Sequence, residues 1–269
     1  YLESLVARAY REVHEIRGTA HHLAPLKWFF RTFPQTFRRH ISAFWLALAI
    51  TGLGMIFGGF ALSFDPDAKD VIMPFPHLKG DPAERVAQEE KIAENAESDR
   101  LLGQKATFST YLMTQNTKVS SVTVALGMTG GLGTIVLLFY NGVILGGVCL
   151  DYILAGELKF LFGWLLPHGA IEIPAILIAG QAGFVLANAL LGWGKRLTLR
   201  MRLQKILDDL VTLLFGLAIM LVWAGFIEAF LSQYHEPVIP YSMKIGFGIV
   251  ELISLSIFLG LSGRQRTSQ

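Results

Sequence analysis

The sequence predicts an all-α, polytopic transmembrane bundle of about six helices, with room for a broken or re-entrant Gly-rich segment. Three observations predict it. Of 269 residues, 52% are hydrophobic and only 16% charged, against roughly 25% charged in an average soluble domain. The apolar residues come in long runs: 41–64, 119–150, 173–194 and 210–227 hold no Asp, Glu, Lys or Arg, and 245–263 holds only Glu251. Basic residues gather between these runs. A spanning helix needs about 20 apolar residues. Backbone groups in lipid must pair within their own segment, which selects helices, and the short alternating strands of a membrane barrel are not visible. This composition excludes a soluble enzyme, a disordered chain and a disulfide scaffold. The single Cys149 allows neither an internal disulfide nor a cysteine metal cluster.

Residues 1–40 read as amphipathic and interfacial helices. Leu2, Leu5, Val6, Ala9, Val13 and Ile16 recur at helical spacing, with Arg8, Arg11, Glu12 and Glu15 opposite. From 26 to 40, Trp28, Phe29, Phe30, Phe33 and Phe37 interleave with Lys27, Arg31, Arg38 and Arg39. That mixture suits the headgroup layer, and Pro34 should kink or break the segment. The chain starts at Tyr1 and its first apolar run at residue 41, so missing upstream sequence and no cleavable signal peptide are expected.

The first span is 41–64, where Gly54 and Gly58 form a small-xxx-small pair. Residues 65–118 form a long polar insertion with 10 acidic and 7 basic residues. Asp81 reads as an N-cap with Pro82 in the first turn, opening a charged, solvated helix to about Leu102. The region 119–262 holds spans 2–6, expected near 119–139, 140–158, 168–193, 210–231 and 245–262. Asn141-Gly142 reads as a tight turn or an intramembrane break, since no charged turn divides 119–150.

Orientation follows from Lys and Arg. The first 40 residues carry 7, residues 195–205 carry 5, and the tail 263–269 has Arg264 and Arg266. These segments, including the loop 195–209, are expected in the cytoplasm. The 65–118 insertion and 232–243 are then outside. The expected location is the cytoplasmic membrane, with both termini inside.

Polar residues inside spans are costly and mark functional or packing positions. They are Asn141, Asp151, His168, Glu172, Gln181, Asn188, Glu228 and Glu251. His168 and Glu172, four apart, share a helix face. Pro167-His168-Gly169 reads as the start of that helix, where the dipole would favour ionised Glu172. Three readings compete for the pair: a hydrogen-bonded packing contact, a substrate or proton path with Asp151, Glu228 or Glu251, and a metal site. One His and one carboxylate do not complete a zinc site, and HExxH is absent. His235 and Glu236 are expected in a solvated loop. No P-loop, G-x-S-x-G or other catalytic constellation appears. No enzyme activity, cofactor, metal or nucleic-acid partner is therefore expected.

Three motifs in order resemble the stage II sporulation protein M family. They are Phe33-Pro34 to Phe37-Arg38 before the first span, Asn141-Gly142 with Gly146, and Pro167-His168-Gly169 with Glu172. The resemblance covers about residues 1–262 and includes the opening LESLVARAYREV. It implies an integral membrane protein without established catalysis. It also implies links to septal cell-wall remodelling and to MoxR-like AAA+ ATPases and RDD-type membrane proteins. The long acidic insertion departs from the family pattern. The candidate site joins the residues the resemblance carries over, Asn141, Gly142, Gly146, Pro167, His168, Gly169 and Glu172, to the intramembrane carboxylates Asp151, Glu228 and Glu251. The leading functional expectation is a non-catalytic scaffold for envelope proteins, engaged through 65–118. The alternative is a transporter or channel using the intramembrane carboxylates. Partners on either reading include the lipid bilayer, and the pairs Gly127/Gly131 and Gly142/Gly146 allow either internal packing or a homo-oligomer.

Overall fold

A computed structural model describes residues 25–65, 67–73, 78–94, 113–194 and 197–264. The amphipathic helix expected at 2–16 lies outside the described residues. A single turn Pro25–Lys27 and a π-helical turn Trp28–Thr32 lead into α1 (Phe33–Arg39). Then follow α2 (Ile41–Phe64), α3 (Ala68–Ile72), α4 (Pro82–Glu94), α5 (113–125) and a 3-10 turn Leu126–Thr129. The remaining helices are α6 (Leu132–Leu154), α7 (Leu158–Leu191), α8 (Leu199–Ile227) and α9 (Tyr241–Leu261), with α8 continuing into a π-helical turn Glu228–Ser232.

Five helices, α2 and α6 to α9, are long and apolar enough to cross a membrane. With α5 and its 3-10 turn, a more polar stretch that carries Gln115, Asn116 and Lys118, the described residues hold six long segments. Their boundaries differ from the sequence expectation. The chain reverses at Gly130-Gly131, not at Asn141-Gly142, and α6 runs unbroken through both of the latter residues. Gly130 and Gly131 take φ of 70° and 90°, a left-handed conformation in which a Cβ is strained. Gly142 is needed elsewhere, at a helix contact. The next reversal, at 155–157, uses Gly156 (φ 81°), so α7 begins at Leu158. Pro167-His168-Gly169 therefore lies inside α7, three turns from its start. A 34-residue helix is about 51 Å long at 1.5 Å per residue, far more than one membrane thickness.

α7 is the axis of the bundle. Of its apolar window 72% is buried, against 22–44% in the other four long helices. The others turn large apolar side chains outward, among them Trp45, Phe57, Phe60, Val222 and Ile253. That outward face is what lipid as solvent requires.

The tightest seam joins α2 and α6. A Cβ on Gly54 would lie 2.1 Å from the Phe139 carbonyl oxygen, and one on Gly58 2.0 Å from that of Val143. Reciprocally, a Cβ on Gly142 would meet the Thr51 oxygen at 2.1 Å and one on Gly146 the Met55 oxygen at 1.9 Å. Two small-xxx-small pairs thus face each other and let the backbones touch. These glycines serve internal packing.

The two ends differ. At the basic end, the aromatic elbow is not a surface helix. Phe33 and Phe37 are buried among α7, α8 and α9. The π-helical turn precedes Pro34, which sits in the first turn of α1 where its missing N–H costs nothing. Gln181 of α7 donates to the Phe37 and His40 carbonyls, both at 2.9 Å. At the end carrying the insertion, α4 is docked on the bundle rather than solvated. Asp81 caps it through the Ala83 N–H at 2.8 Å, and Val86 and Ala93 are buried. Arg85 donates to the Tyr152 hydroxyl at 2.7 Å and lies 4.6 Å from the Trp164 ring centroid.

Candidate functional site

α7 and α8 run antiparallel: Arg202 reaches the Leu190 carbonyl near one end, and Ser232 reaches His168 near the other. The His168 Nδ1–Ser232 Oγ distance is 2.9 Å, and both residues are buried. One turn along each helix the same register sets Glu172 opposite Glu228. The expected shared face of His168 and Glu172 is present. It meets a matching i, i+4 pair, Glu228 and Ser232, held on the π-helical turn. Such widened turns recur at functional sites, where they re-aim side chains that a regular helix would place elsewhere.

Behind Ser232 stands Lys244 of α9, fully buried. Its ammonium donates to the carbonyls of Ser232 (2.9 Å) and Tyr234 (2.7 Å). These are orphan carbonyls at a helix end, which a cation satisfies well. Sequence reasoning missed both Ser232 and Lys244. The signal was present, because Lys244 is the sole Lys or Arg between Lys205 and Arg264.

In front of His168 and Glu172 is a cavity of about 410 Å³. It extends from Leu78, Gln115 and Trp164 at the insertion end to Thr51 and Leu177 in mid-bundle. Its walls are chiefly apolar, with a few polar groups set into them, among them Asn116, Asn141, His168 and Glu172. That is the usual composition of a small-molecule pocket. Asn141 Nδ2 is turned back to the Leu137 carbonyl at 2.8 Å. The Glu172 carboxylate has no hydrogen-bond partner among the described residues, and Glu228 Oε2 is buried without one. Gly169 also lines the cavity, and the nearest atoms to a Cβ there belong to Leu165 and Ile173 of its own helix, at 3.5 and 3.6 Å. Pro167 is buried behind it in α7, where it frees the Gly163 carbonyl from the helix ladder. The dipole argument for Glu172 does not apply, since the residue sits 14 positions into the helix.

The other expected residues lie apart. Asp151, at the insertion end of α6, pairs with Lys69 of α3 at 2.6 Å. Glu251 accepts from the Trp223 indole at 2.7 Å, joining α8 to α9 on the outer surface. Gly142 and Gly146 are in the α2–α6 seam. His235 is not solvated: it is buried, stacks on Phe160 with centroids 5.0 Å apart, and lies 3.8 Å from Glu89 of α4. Glu236 binds Lys159 at 2.9 and 3.1 Å and accepts the Tyr241 N–H at 2.9 Å. These donors, Lys159 first, hold its carboxyl below the usual carboxylate range.

A family profile described as Stage II sporulation protein M matches residues 47–233, which include every member of this cluster except Lys244. The chain belongs to the stage II sporulation protein M family. With five helices of spanning length, it is a multi-pass membrane protein. It is also similar to an uncharacterized protein of Methanocaldococcus jannaschii, 39% identical over 74 residues. That match spans 27% of this chain and 42% of the relative. No solved structure matches the chain. The family matched is the one the sequence motifs resemble. Of those motifs, Asn141, His168, Gly169 and Glu172 reach the cavity, Pro167 lies behind it in α7, and Gly142 and Gly146 serve the seam.

Proposed function

We propose that this family member is a non-enzymatic membrane protein that takes a small polar or cationic solute, or protons, into the cavity beside His168 and Glu172. One observation carries the reading: the Glu172 carboxyl group, which makes no hydrogen bond or ion pair among the described residues, lines a cavity within the bundle. An unpaired ionisable group there is expensive unless it handles a ligand or a proton. The facing Glu228 strengthens the case, because mutual repulsion of two carboxylates is relieved by a bound cation or proton. Orientation is part of the proposal. The basic end, with α1 and the loop after α7, faces the cytoplasm, and the cavity then reaches toward the outside. The test is flux across proteoliposomes carrying the full chain, read with a pH-sensitive dye and potassium or ammonium gradients. Flux that Glu172→Gln and His168→Ala abolish supports the reading. Absence of flux with every gradient, or flux indifferent to both substitutions, contradicts it.

A second reading, a scaffold for envelope proteins, is favoured by α4. The bundle fixes this helix, and its Glu84, Gln88, Lys91 and Glu94 face outward. A photo-crosslinker at Gln88 in native membranes should then capture a defined envelope partner. Capture of nothing but lipid argues against it.

A further inference from the structure

A second cavity lies on the outer face of the bundle, between α2, α7 and α9. It is a groove of about 650 Å³ whose walls include Ile41, Trp45, Leu166, Ile173, Leu252 and Leu259. Its lining is apolar apart from Cys149 and Ser256, and the Ser256 hydroxyl is already spent on the Leu252 carbonyl at 2.7 Å. From Ile41 to Met55 the α2 wall is about 21 Å long at 1.5 Å per residue. One leaflet's hydrocarbon is about 15 Å deep, so the groove accepts a whole acyl chain.

The basic end of the groove is charged. Arg38 follows the lining residue Phe37 and donates to the carbonyls of Leu259 and Ser262, both at 2.6 Å. Arg264 is close enough that, after burial, its cation is a further force disfavouring the charged Arg38. The Arg31 backbone packs on Gly263, where a Cβ would lie 2.8 Å from its carbonyl oxygen. None of these three arginines has a carboxylate partner among the described residues, whereas their neighbour Arg39 is paired with Asp209. The carbonyls of Leu259 and Ser262 account for Arg38. Arg31 and Arg264 stand beside the C-terminal end of α9, next to the lining residues Leu259 and Gly260, with no carboxylate among the described residues to offset them.

We propose that this groove is a binding site for one anionic phospholipid, its acyl chain lying between α2 and α9 and its phosphate at Arg31, Arg38 and Arg264. Annular lipid would coat the same surface without regard to headgroup. The arginine cluster makes the site discriminate. This inference does not depend on the function of the polar cavity.

The test is native mass spectrometry of the delipidated full chain in detergent, titrated with phosphatidylglycerol and phosphatidylcholine of identical acyl composition. One phosphatidylglycerol per chain should be retained, with about ten-fold or greater preference over phosphatidylcholine, as two basic residues at a headgroup give. Arg31→Ala with Arg264→Ala should bring the preference to about two-fold or less while both lipids still bind. Gly260→Phe should remove the bound lipid. Nothing lies within 4 Å of a Cβ at Gly260, so that ring enters the groove rather than the bundle. Ser256→Trp, at another exposed lining position, is the second such variant should the first fail to fold. Equal retention of the two lipids, a preference that survives loss of both arginines, or phosphatidylglycerol binding that survives a filled groove overturns the proposal.

Discussion

Two helix interfaces of this bundle solve opposite problems. The α2–α6 seam is backbone on backbone, with four glycines interleaved and no room for a methyl group. The α7–α8 face carries His168, Glu172, Glu228 and Ser232, of which His168 and Glu172 also line a cavity, and ends in a widened turn. In lipid no hydrophobic effect drives helices together, so close van der Waals contact and interhelical hydrogen bonds do so. The seam supplies the first and holds the frame. The polar face uses only part of the second: His168 and Ser232 are in hydrogen-bond contact, while Glu172 has no hydrogen bond among the described residues. The contrast separates the contact that holds the frame from the polar face on which the proposed function rests.

That contrast can be broken first at the seam. Gly58→Val puts a Cβ 2.0 Å from the Val143 carbonyl oxygen, which cannot move without moving α6. A loss of about 3 kcal/mol or more is expected, read as lost monodisperse protein or as thermal unfolding in detergent. Gly52→Ala, on the same helix with nothing within 4 Å of its Cβ, should be neutral or stabilising by up to about 1 kcal/mol. Equal effects of the two would dissolve the seam.

Next in size is Lys244→Met. It leaves the Ser232 and Tyr234 carbonyls without their cation and should cost about 1.5–3 kcal/mol. The π-helical turn should loosen with it, seen as faster amide exchange over residues 228–232. Unchanged exchange there would separate Lys244 from the site.

The polar face itself predicts a split. Ser232→Ala removes the His168 contact and should cost about 1 kcal/mol. Glu172→Gln removes no hydrogen bond and should change the unfolding midpoint little or raise it, because a lone carboxylate in a lipid-embedded helix is itself unfavourable. A large destabilisation by Glu172→Gln would mean that the carboxylate is a packing contact.

The smallest effect lies outside the bundle. Glu236 has a depressed carboxyl pKa owing first to Lys159. Its contribution is therefore present above the ordinary carboxylate pKa and fades as pH falls through its own lower value. Solvent screening keeps it below about 1 kcal/mol. Lys159→Ala should flatten that acid dependence of the unfolding midpoint. An unchanged acid limb would place its source elsewhere.

Most of the architecture was legible because lipid allows few solutions. The spans expected at 41–64, 168–193, 210–231 and 245–262 each fall on a helix, whereas the boundary expected between 119–139 and 140–158 falls inside α6. The reversals were harder to place. Asn141-Gly142 and Gly130-Gly131 carry similar turn chemistry, and only three-dimensional packing shows that Gly142 is spent on the α2 contact. Pro167 looked like a helix start because proline favours that position. It is tolerated mid-helix here because neighbouring helices cover α7. Insertion residues were read as solvated from their charge. Yet Arg85 and Glu90 reach Tyr152 and Tyr241, pairings between residues far apart in the chain that no local pattern announces. Of the site, His168 with Glu172 followed from helical spacing. Glu228 was among the sequence candidates, but that it faces Glu172, and that Ser232 meets His168, followed only from the antiparallel register of α7 and α8.

Cysteine accessibility tests the central claim, that the His168–Glu172 face lines a cavity rather than a closed contact. In a Cys149→Ser background, Glu172→Cys and Ile178→Cys are exposed to a membrane-impermeant methanethiosulfonate. Ile178 is fully buried two turns away on α7. Rapid modification at position 172 with none at 178 is predicted. Equal inertness of the two positions would contradict the account.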